Sequence, residues 1–454
     1  MTFEIPNYFL ADLGPDAEFT ENMITEAVLT LRSNRERYLT VRDTASIIRI
    51  LSQTADNWLE EDYPFREITL EKGPAETGFS QETIRIGLDH FFGGLNPDSL
   101  EDLLLQELGH LKRMDSLCAA RNENGKEAIT TGPEMITHIA AGNIPIPAML
   151  SIVMGLLVRS AQFVKCPRGS SFIPRMFAHS LYDTDSKIGS CLEIAEWKSG
   201  SEAIEDTLYR HSECVTATGS DKTLEAIRNR LDAKTRFLGY GHQVSFGYVT
   251  KEAVSGYKAK RLIREAADDV VAWNQLGCLS PHIFYVEDDS SNWALQFAQH
   301  LAAELEKREA ADPRGEIPKE AAAAIASRRA MYEVRAAHMP DSSQQWCSED
   351  STAWTVIYET DTLFQLSCLN RFIYVKSTAD LEEVLKGAEM VRDHVSTVGL
   401  AAAEDEKEEL ALRLARWGAT RICPIGRMQK PPLTWRHDGR PLLSDYVRWT
   451  DWEQ

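Results

Sequence analysis

From residue 134 onward, short apolar runs alternate with longer stretches in which apolar residues recur every three or four positions. The short runs have the spacing of buried strands, and the longer ones that of helices with one buried face. MITHIAAGN reads as a strand closing on a Gly-Asn turn, with IPAMLSIVMGLLVRS as a buried helix after it. SAQFVKCP and SSFIPRMFAHSLYD repeat the pattern, as do SECVTATGS, which ends on a Gly-Ser turn, and DKTLEAIRNRLD. Three strand–turn–helix units in series predict a parallel α/β sheet of the nucleotide-binding kind. Upstream, the periodicity predicts helices over Glu21–Arg32, Val41–Trp58 and Leu100–Arg113, with EEDYPFRE as an acidic loop. Downstream come strands at HIFYVED, TAWTVIYE and RFIYVKS, and helices from NWALQFAQHL through KEAAAAIASRRA to EDEKEELALRLARWG. Residues 421–454 are rich in Pro, Arg and Trp and show little periodicity. They are expected to pack back over the body, with their aromatic cluster as packing rather than a substrate tunnel.

A chain of 454 residues has room for two or three cores. Against 49 Lys and Arg stand 69 Asp and Glu, a net charge of −20. That field repels a phosphate backbone and excludes broad nucleic-acid binding, yet permits one local basic pocket. The longest apolar run, Ile144 to Val158, is broken by Pro145 and Pro147 and falls short of the roughly 20 residues of a membrane span. The N-terminus lacks the basic start and apolar core of a secretory signal. Eight cysteines are scattered without metal-ligand or disulfide spacing, so no metal site and a reducing cytoplasm are expected.

Neither G-x-G-x-x-G nor G-x-x-x-x-G-K-[ST] follows any predicted strand, and no G-x-S-x-G elbow occurs. GYGHQVSFG is glycine-rich but fits neither phosphate loop. What remains is NQLGCLSPH, where Cys278 follows a glycine in a polar loop just before a strand. A cysteine in isolation is more often a small core residue than a nucleophile. Here the glycine gives a carbonyl room to reach sulfur, and the strand places the loop at a sheet edge, where α/β sites lie.

The order and separations of Asn143, Lys165, Thr218-Gly219-Ser220 and Gln275-x-Gly277-Cys278 resemble the aldehyde dehydrogenase superfamily. Within it, HIAAGNIPIPAML, LGYGHQVSFGYV and NQLGCLSPHIFYVE resemble the acyl-CoA reductase family of LuxC-like fatty-acid reductases, over about residues 90 to 450. The resemblance implies an α/β, aldehyde dehydrogenase-like fold: a Rossmann-type cofactor domain, an α/β catalytic domain and a small oligomerisation or tail element. The expected division is 1–90 as a mixed helical region packing on the cofactor domain, 91–270 for nucleotide binding, 271–420 for catalysis and 421–454 as the tail.

The same resemblance implies reduction of an acyl thioester, a fatty acyl-CoA or similar, to an aldehyde. Cys278 would carry the acyl group, and Asn143 would donate its amide to the oxyanion beside the Cys278 N–H. Asn143 equally suits a turn before a proline-containing helix. Oxidising relatives carry a water-activating Glu in the string that corresponds to Leu238–His242, and that carboxylate is missing here. His242 would move a proton, or would be a structural residue of a glycine-rich turn. Lys165 and Arg168 would bind the adenosine end. Arg168 stands where a ribose-binding Glu is usual and suits a 2′-phosphate, which favours NADPH; it also reads as a solvated loop charge. Gly219 and Ser220 would meet the pyrophosphate at a helix start, or Ser220 would be an ordinary cap. Glu359 is the counterpart of a second ribose-binding Glu, without the glycine and proline that normally follow. His282 and Ser280 would position the Cys278 loop. The implied partners are an activated acyl substrate, an acyl-activating enzyme and further copies of the chain. Three alternatives stand beside this reading: an acyl-phosphate or acyl-adenylate reductase, an aldehyde oxidiser, and a silent scaffold subunit.

Overall fold

Strand–helix alternation builds two parallel sheets. A computed structural model describes residues 5–14, 17–119, 126–289 and 291–453. The strands are β1 (Glu127–Thr131), β2 (Met135–Ile139), β3 (Ala161–Cys166), β4 (Leu192–Glu196), β5 (Cys214–Thr218), β6 (Arg236–Tyr240) and β7 (Val244–Val249). They continue with β8 (Pro281–Glu287), β9 (Ser343–Cys347), β10 (Thr355–Glu359), β11 (Phe372–Thr378), β12 (Val395–Ala401), β13 (Arg421–Pro424) and β14 (Arg448–Trp452). The first sheet has the order β4-β3-β2-β5-β6 and is parallel throughout. Chain direction along the sheet reverses between β2 and β5, so a crevice opens at their carboxyl ends. The second sheet, β13-β12-β7-β8-β11-β10-β9, is parallel except for its edge strand β9.

The pattern anticipates β2, β3 and β5 but passes over β4 and β6, whose five residues each mix polar and apolar positions. Their burial comes from neighbouring strands and flanking helices, which local periodicity does not record. GYGHQVSFG is the crossing between sheets: β6 ends at Tyr240 and β7 begins the second sheet at Val244. The change of sheet thus precedes the expected boundary at residue 270.

Helices in residues 1–110 start and stop where local chemistry dictates. Thr20, Asp43, Ser80 and Asn96 each accept a backbone N–H at the first turn of Glu21–Asn34, Thr44–Leu59, Gln81–Gly93 and Pro97–Leu108. Pro64, inside the string expected to be a loop, opens the helix Pro64–Thr77, because proline at a first helical position loses no hydrogen bond. Gly109 takes a left-handed φ of 72° and ends its helix at Leu108, short of the expected Arg113. The helices from Thr44 onward share one apolar core with the helices of the first sheet and with Leu442, Leu443 and Tyr446 of the tail, whereas Glu21–Asn34 packs Ile24, Val28 and Leu31 in a separate cluster with Met135, Phe163 and Trp197. At its centre Trp58 stacks on Phe92 with ring centroids 4.7 Å apart and donates its indole N–H to the Ser180 hydroxyl at 2.7 Å. The tail closes the fold when β14 pairs antiparallel with β1.

Trp58→Ala is expected to destabilise the fold by about 3–5 kcal/mol, the usual cost of emptying a large buried aromatic site. Chemical denaturation checks it; a loss below about 1 kcal/mol would show that this core does not carry the N-terminal helices.

Candidate active site

Three consecutive non-glycine residues before Cys278 take left-handed backbone angles: Trp273, Asn274 and Gln275, with φ of 48°, 51° and 61°. Each such residue costs on the order of 1–3 kcal/mol and persists only where its surroundings fix it. A second left-handed run, Leu369, Asn370 and Arg371 at 56°, 54° and 65°, lies against the first. The Asn370 N–H donates to the Asn274 carbonyl at 2.8 Å, and Arg371 Nε donates to Asn274 Oδ1 at 3.0 Å. Asn274 Nδ2 donates to the Arg314 carbonyl at 2.9 Å. Gln275 Nε2 bonds the carbonyls of Pro281 and Phe372, at 2.9 and 3.0 Å. Arg371 is itself buried and ion-paired to Glu309 at 2.9 Å. Trp273 is seated against Gly87 of the helix Gln81–Gly93: a Cβ there would lie 2.0 Å from its ring. No other residue fits position 87 without moving the indole.

This platform delivers Cys278 to the amino end of β8. Its carbonyl accepts from the Ser245 hydroxyl at 2.7 Å, which ties the loop to β7. Gln429 from the tail bonds Ser280, and with Ile144 it closes over Gly277, where a Cβ would meet both side chains at 3.3 Å. Burial pushes the Cys278 thiol up to about 12, Asp438 adds to the rise, and the backbone N–H groups of Cys278 and Leu279 work against it. The resting sulfur is therefore a protonated thiol with two N–H donors beside it. Asn143, at the turn after β2, donates Nδ2 to the Leu276 carbonyl at 2.5 Å. The first sheet and the cysteine loop meet there.

Cys278 opens into a cavity of about 720 Å³. Ile86 and Phe91 of the helix Gln81–Gly93, Leu150 and Met154 of the helix Ile146–Leu157, and Leu442 of the tail give it apolar walls. Trp435 and Tyr446 line it as well, so part of the C-terminal aromatic cluster faces the cavity rather than serving as packing alone. The lining also includes Thr218 and Tyr240, the last residues of β5 and β6. One space therefore joins the carboxyl edge of the first sheet to the cysteine.

The remaining predicted residues fall into separate places. Lys165, at the end of β3, is buried; Nζ donates to the Ser199 hydroxyl at 3.0 Å and has no ion-pair partner among the described residues. Burial lowers its basicity. Arg168 is exposed in the following loop, which Glu196 at the end of β4 holds by accepting the N–H groups of Gly169 and Ser171 at 2.6 and 3.2 Å. Ser220 caps the helix Asp221–Arg228 through the Thr223 N–H at 3.3 Å, with Gly219 directly before it. His242 is exposed in the turn between β6 and β7 and outside the cavity lining; burial, with a smaller contribution from the nearby His242, lowers the His282 imidazole to about 4. His282 bonds Ser367 at 3.0 Å. Glu359 is fully buried elsewhere in the second sheet, where Arg335, Lys376 and Tyr332 engage its carboxylate at 2.6, 3.1 and 3.1 Å. The structure joins Asn143 to the Leu276 carbonyl, two residues before Cys278; of the predicted catalytic and cofactor residues only Cys278 lines the cavity, and Asn143, Lys165, Arg168, Gly219, Ser220, His242 and Glu359 lie outside its lining.

Sequence reasoning missed Asp438, Asp269, Gln429 and Gly87. Asp269 lines the cavity and accepts the N–H groups of Gly426 and Met428 at 2.5 and 3.0 Å; burial pushes its carboxyl up to about 7. The local string near His242 lacks a carboxylate, but the fold returns two from distant segments. Only Gly87 left a signal, as an isolated glycine inside a helical pattern.

A profile of the acyl-CoA reductase (LuxC) family matches residues 39–449. A long-chain acyl-protein thioester reductase of Aliivibrio fischeri is 21% identical over 96% of this chain and 88% of its own length. The long-chain acyl-protein thioester reductase 2 of Photobacterium leiognathi is 24% identical over 93% and 84%. Among solved structures, a putative aldehyde dehydrogenase PutA of Anabaena variabilis superposes with a TM-score of 0.70 at 16% identity, covering 96% of this chain and 93% of that one. An NAD-dependent benzaldehyde dehydrogenase of Corynebacterium glutamicum gives 0.70 at 12% identity, over 99% and 94%. At these identities the structural likeness speaks for the fold: the expected aldehyde dehydrogenase-like α/β architecture.

Two outcomes follow for the thiol. Alkylation of Cys278 by iodoacetamide, followed by peptide mass spectrometry, is expected to accelerate with pH past 9 without a plateau, because a thiol held near 12 keeps gaining thiolate. Asp438→Asn removes a raising charge and is expected to speed alkylation at pH 8 by roughly threefold or more. A plateau near neutrality, or no effect of the substitution, contradicts this electrostatic account.

Proposed function

The chain belongs to the acyl-CoA reductase (LuxC) family, and we propose that it reduces an acyl thioester to an aldehyde through an acyl group carried on Cys278. The single observation behind this reading is the cavity: one apolar space holds Cys278 and reaches the carboxyl edge of a dinucleotide-type sheet. The apolar walls favour a fatty acyl group, and the relatives that are named for acyl-protein thioesters extend the candidate donors from coenzyme A to a protein thiol.

The chain's own residues divide the work as follows. Cys278 Sγ loses its proton and bonds the acyl carbon; the carbon–sulfur bond to the carrier breaks, and the carrier leaves as a thiol. Asn143 Nδ2 spends one N–H on Leu276 and keeps a second for the oxyanion, beside the Cys278 N–H. The residues at the first sheet fit a dinucleotide: a buried Lys165, held by the Ser199 hydroxyl and without an ion pair among the described residues, and a capped helix start at Gly219-Ser220 on the carboxyl edge. A nicotinamide cofactor bound there supplies hydride. Arg168 supports NADPH as that cofactor, because a guanidinium suits a 2′-phosphate. Release of the aldehyde breaks the bond to Cys278 and returns its thiol; His242, exposed on the turn before β7 and outside the cavity lining, is better read as structural. Glu359, with its carboxylate taken up by three partners, is better read as structural. We place the enzyme in the cytoplasm, as a homo-oligomer using the exposed β14.

Aldehyde oxidation is the second reading, favoured by Asp438, whose charge reaches Cys278 and could serve water attack on the acyl-enzyme.

NADPH with a panel of acyl-CoAs is expected to give aldehyde and consume the reduced cofactor, and Cys278→Ala is expected to lower turnover by roughly 10³-fold or more. Turnover that survives the substitution defeats the nucleophile; carboxylic acid formed from aldehyde and NADP⁺, without the reverse reaction, favours the second reading. Arg168→Glu is expected to shift preference toward NADH by about tenfold, and an unchanged preference shows that Arg168 does not read the phosphate.

A further inference from the structure

The rim of the cysteine's cavity carries a concentration of positive charge in a chain of net charge −20. Arg421, at the start of β13, is buried and lines the cavity, yet its guanidinium bonds only neutral oxygens: the carbonyls of Met428 and Arg427 at 2.7 and 2.8 Å and the Thr397 hydroxyl at 3.5 Å. Arg427 and Lys430 line the same cavity, exposed and half-buried, and neither forms an ion pair among the described residues. Across the opening, His90 of the helix Gln81–Gly93 feels all three: after burial, the charges of Lys430, Arg427 and Arg421 lower its basicity. Some buried cations elsewhere are ion-paired, Arg159 with Asp115, Arg371 with Glu309 and Lys376 with Glu359, whereas Lys165 and Arg314, like Arg421, bond neutral oxygens. The carboxylate beside the segment, Asp269, is occupied by the Gly426 and Met428 N–H groups.

Three cations gathered at one rim, with Asp269 as the carboxyl acting on Arg421, favour a further anionic group at that spot. The nicotinamide cofactor is expected at the carboxyl edge of the first sheet, an element to which none of the three cations belongs. Gln429, between Arg427 and Lys430, closes over Gly277 and places the cations next to the entrance to Cys278. Whatever presents its acyl group to that sulfur must pass them.

We propose that Arg421, Arg427 and Lys430 bind the phosphate of a phosphopantetheine arm, the thiol carrier that brings the acyl group to Cys278. The inference rests on the thioester-reductase reading and adds the chemistry of the carrier. Coenzyme A and an acyl carrier protein both end in this arm and share its phosphate. Lys430 and Arg427 are the outer, adjustable contacts. Arg421 supports them from beneath through the Arg427 and Met428 carbonyls.

The test compares one acyl group on four carriers: coenzyme A, phosphopantetheine, pantetheine without phosphate, and a holo acyl carrier protein. In the double variant Arg427→Gln, Lys430→Gln, KM for acyl-CoA and acyl-phosphopantetheine is expected to rise by about tenfold with kcat held, while acyl-pantetheine is unaffected. Arg427→Lys with Lys430→Arg is expected to restore most of the loss, which a folding defect would not allow. A matching loss on the acyl carrier protein identifies a carrier protein as a source; its absence restricts the source to coenzyme A. Equal losses on acyl-pantetheine and acyl-CoA, or no loss on either, overturn the proposal. A loss confined to the carrier protein also overturns it, in favour of an acidic protein surface. An unmutated enzyme inactive on all four carriers instead overturns the reductase reading itself.

Discussion

The Cys278 loop depends on two left-handed backbone runs locked together, 273–275 against 369–371. Neither run contains glycine, so each would relax alone; together they exchange a backbone hydrogen bond and the Asn274–Arg371 contact. The cost of bending six residues this way is offset by burial and by hydrogen bonds to Arg314, Pro281 and Phe372. The result is a loop whose sulfur, amide and neighbouring carbonyl have little freedom. That rigidity suits the proposed acyl-carrying role of Cys278, since misplacement of a reacting atom is expensive.

From this platform the rest of the molecule takes its place. Trp273 reaches out of the turn to Gly87 and so keys the N-terminal helices to the cysteine. Gln429 keys the tail to the same loop through Ser280. The cavity is the space left between these three elements and the helix that follows Asn143. Burial, helped by the Asp438 carboxylate, holds the sulfur as a thiol, and cations gather at the rim.

How much of this could be read from the residues follows from where the information lies. Strands β2, β3 and β5 and the cysteine loop were legible because each writes its burial into a continuous apolar run or a glycine turn. Asn143 was legible as a partner of the loop only through the resemblance, and the contact to Leu276 gives that juxtaposition a physical form. The cavity was not legible: its walls come from residues about 86–96, 144–154 and 421–446, and no local pattern says that those segments meet. The same limitation hid Asp438, which follows Cys278 far along the chain and reaches it only through the fold. Glu359 shows the opposite failure, in which a matching residue type at a matching place is absorbed by Arg335, Lys376 and Tyr332. Pro64 in an acidic, loop-like string starts a helix because its position, not its composition, decides.

The most direct test of the central claim is to catch the acyl group on the protein. The enzyme is mixed with an acyl-CoA in the absence of any nicotinamide, quenched in acid, digested and examined by mass spectrometry. The account predicts the acyl mass on the peptide that contains Cys278, removable by hydroxylamine and missing from Cys278→Ala. An acyl group on any other cysteine, or aldehyde formation with no acyl group on Cys278, would contradict it.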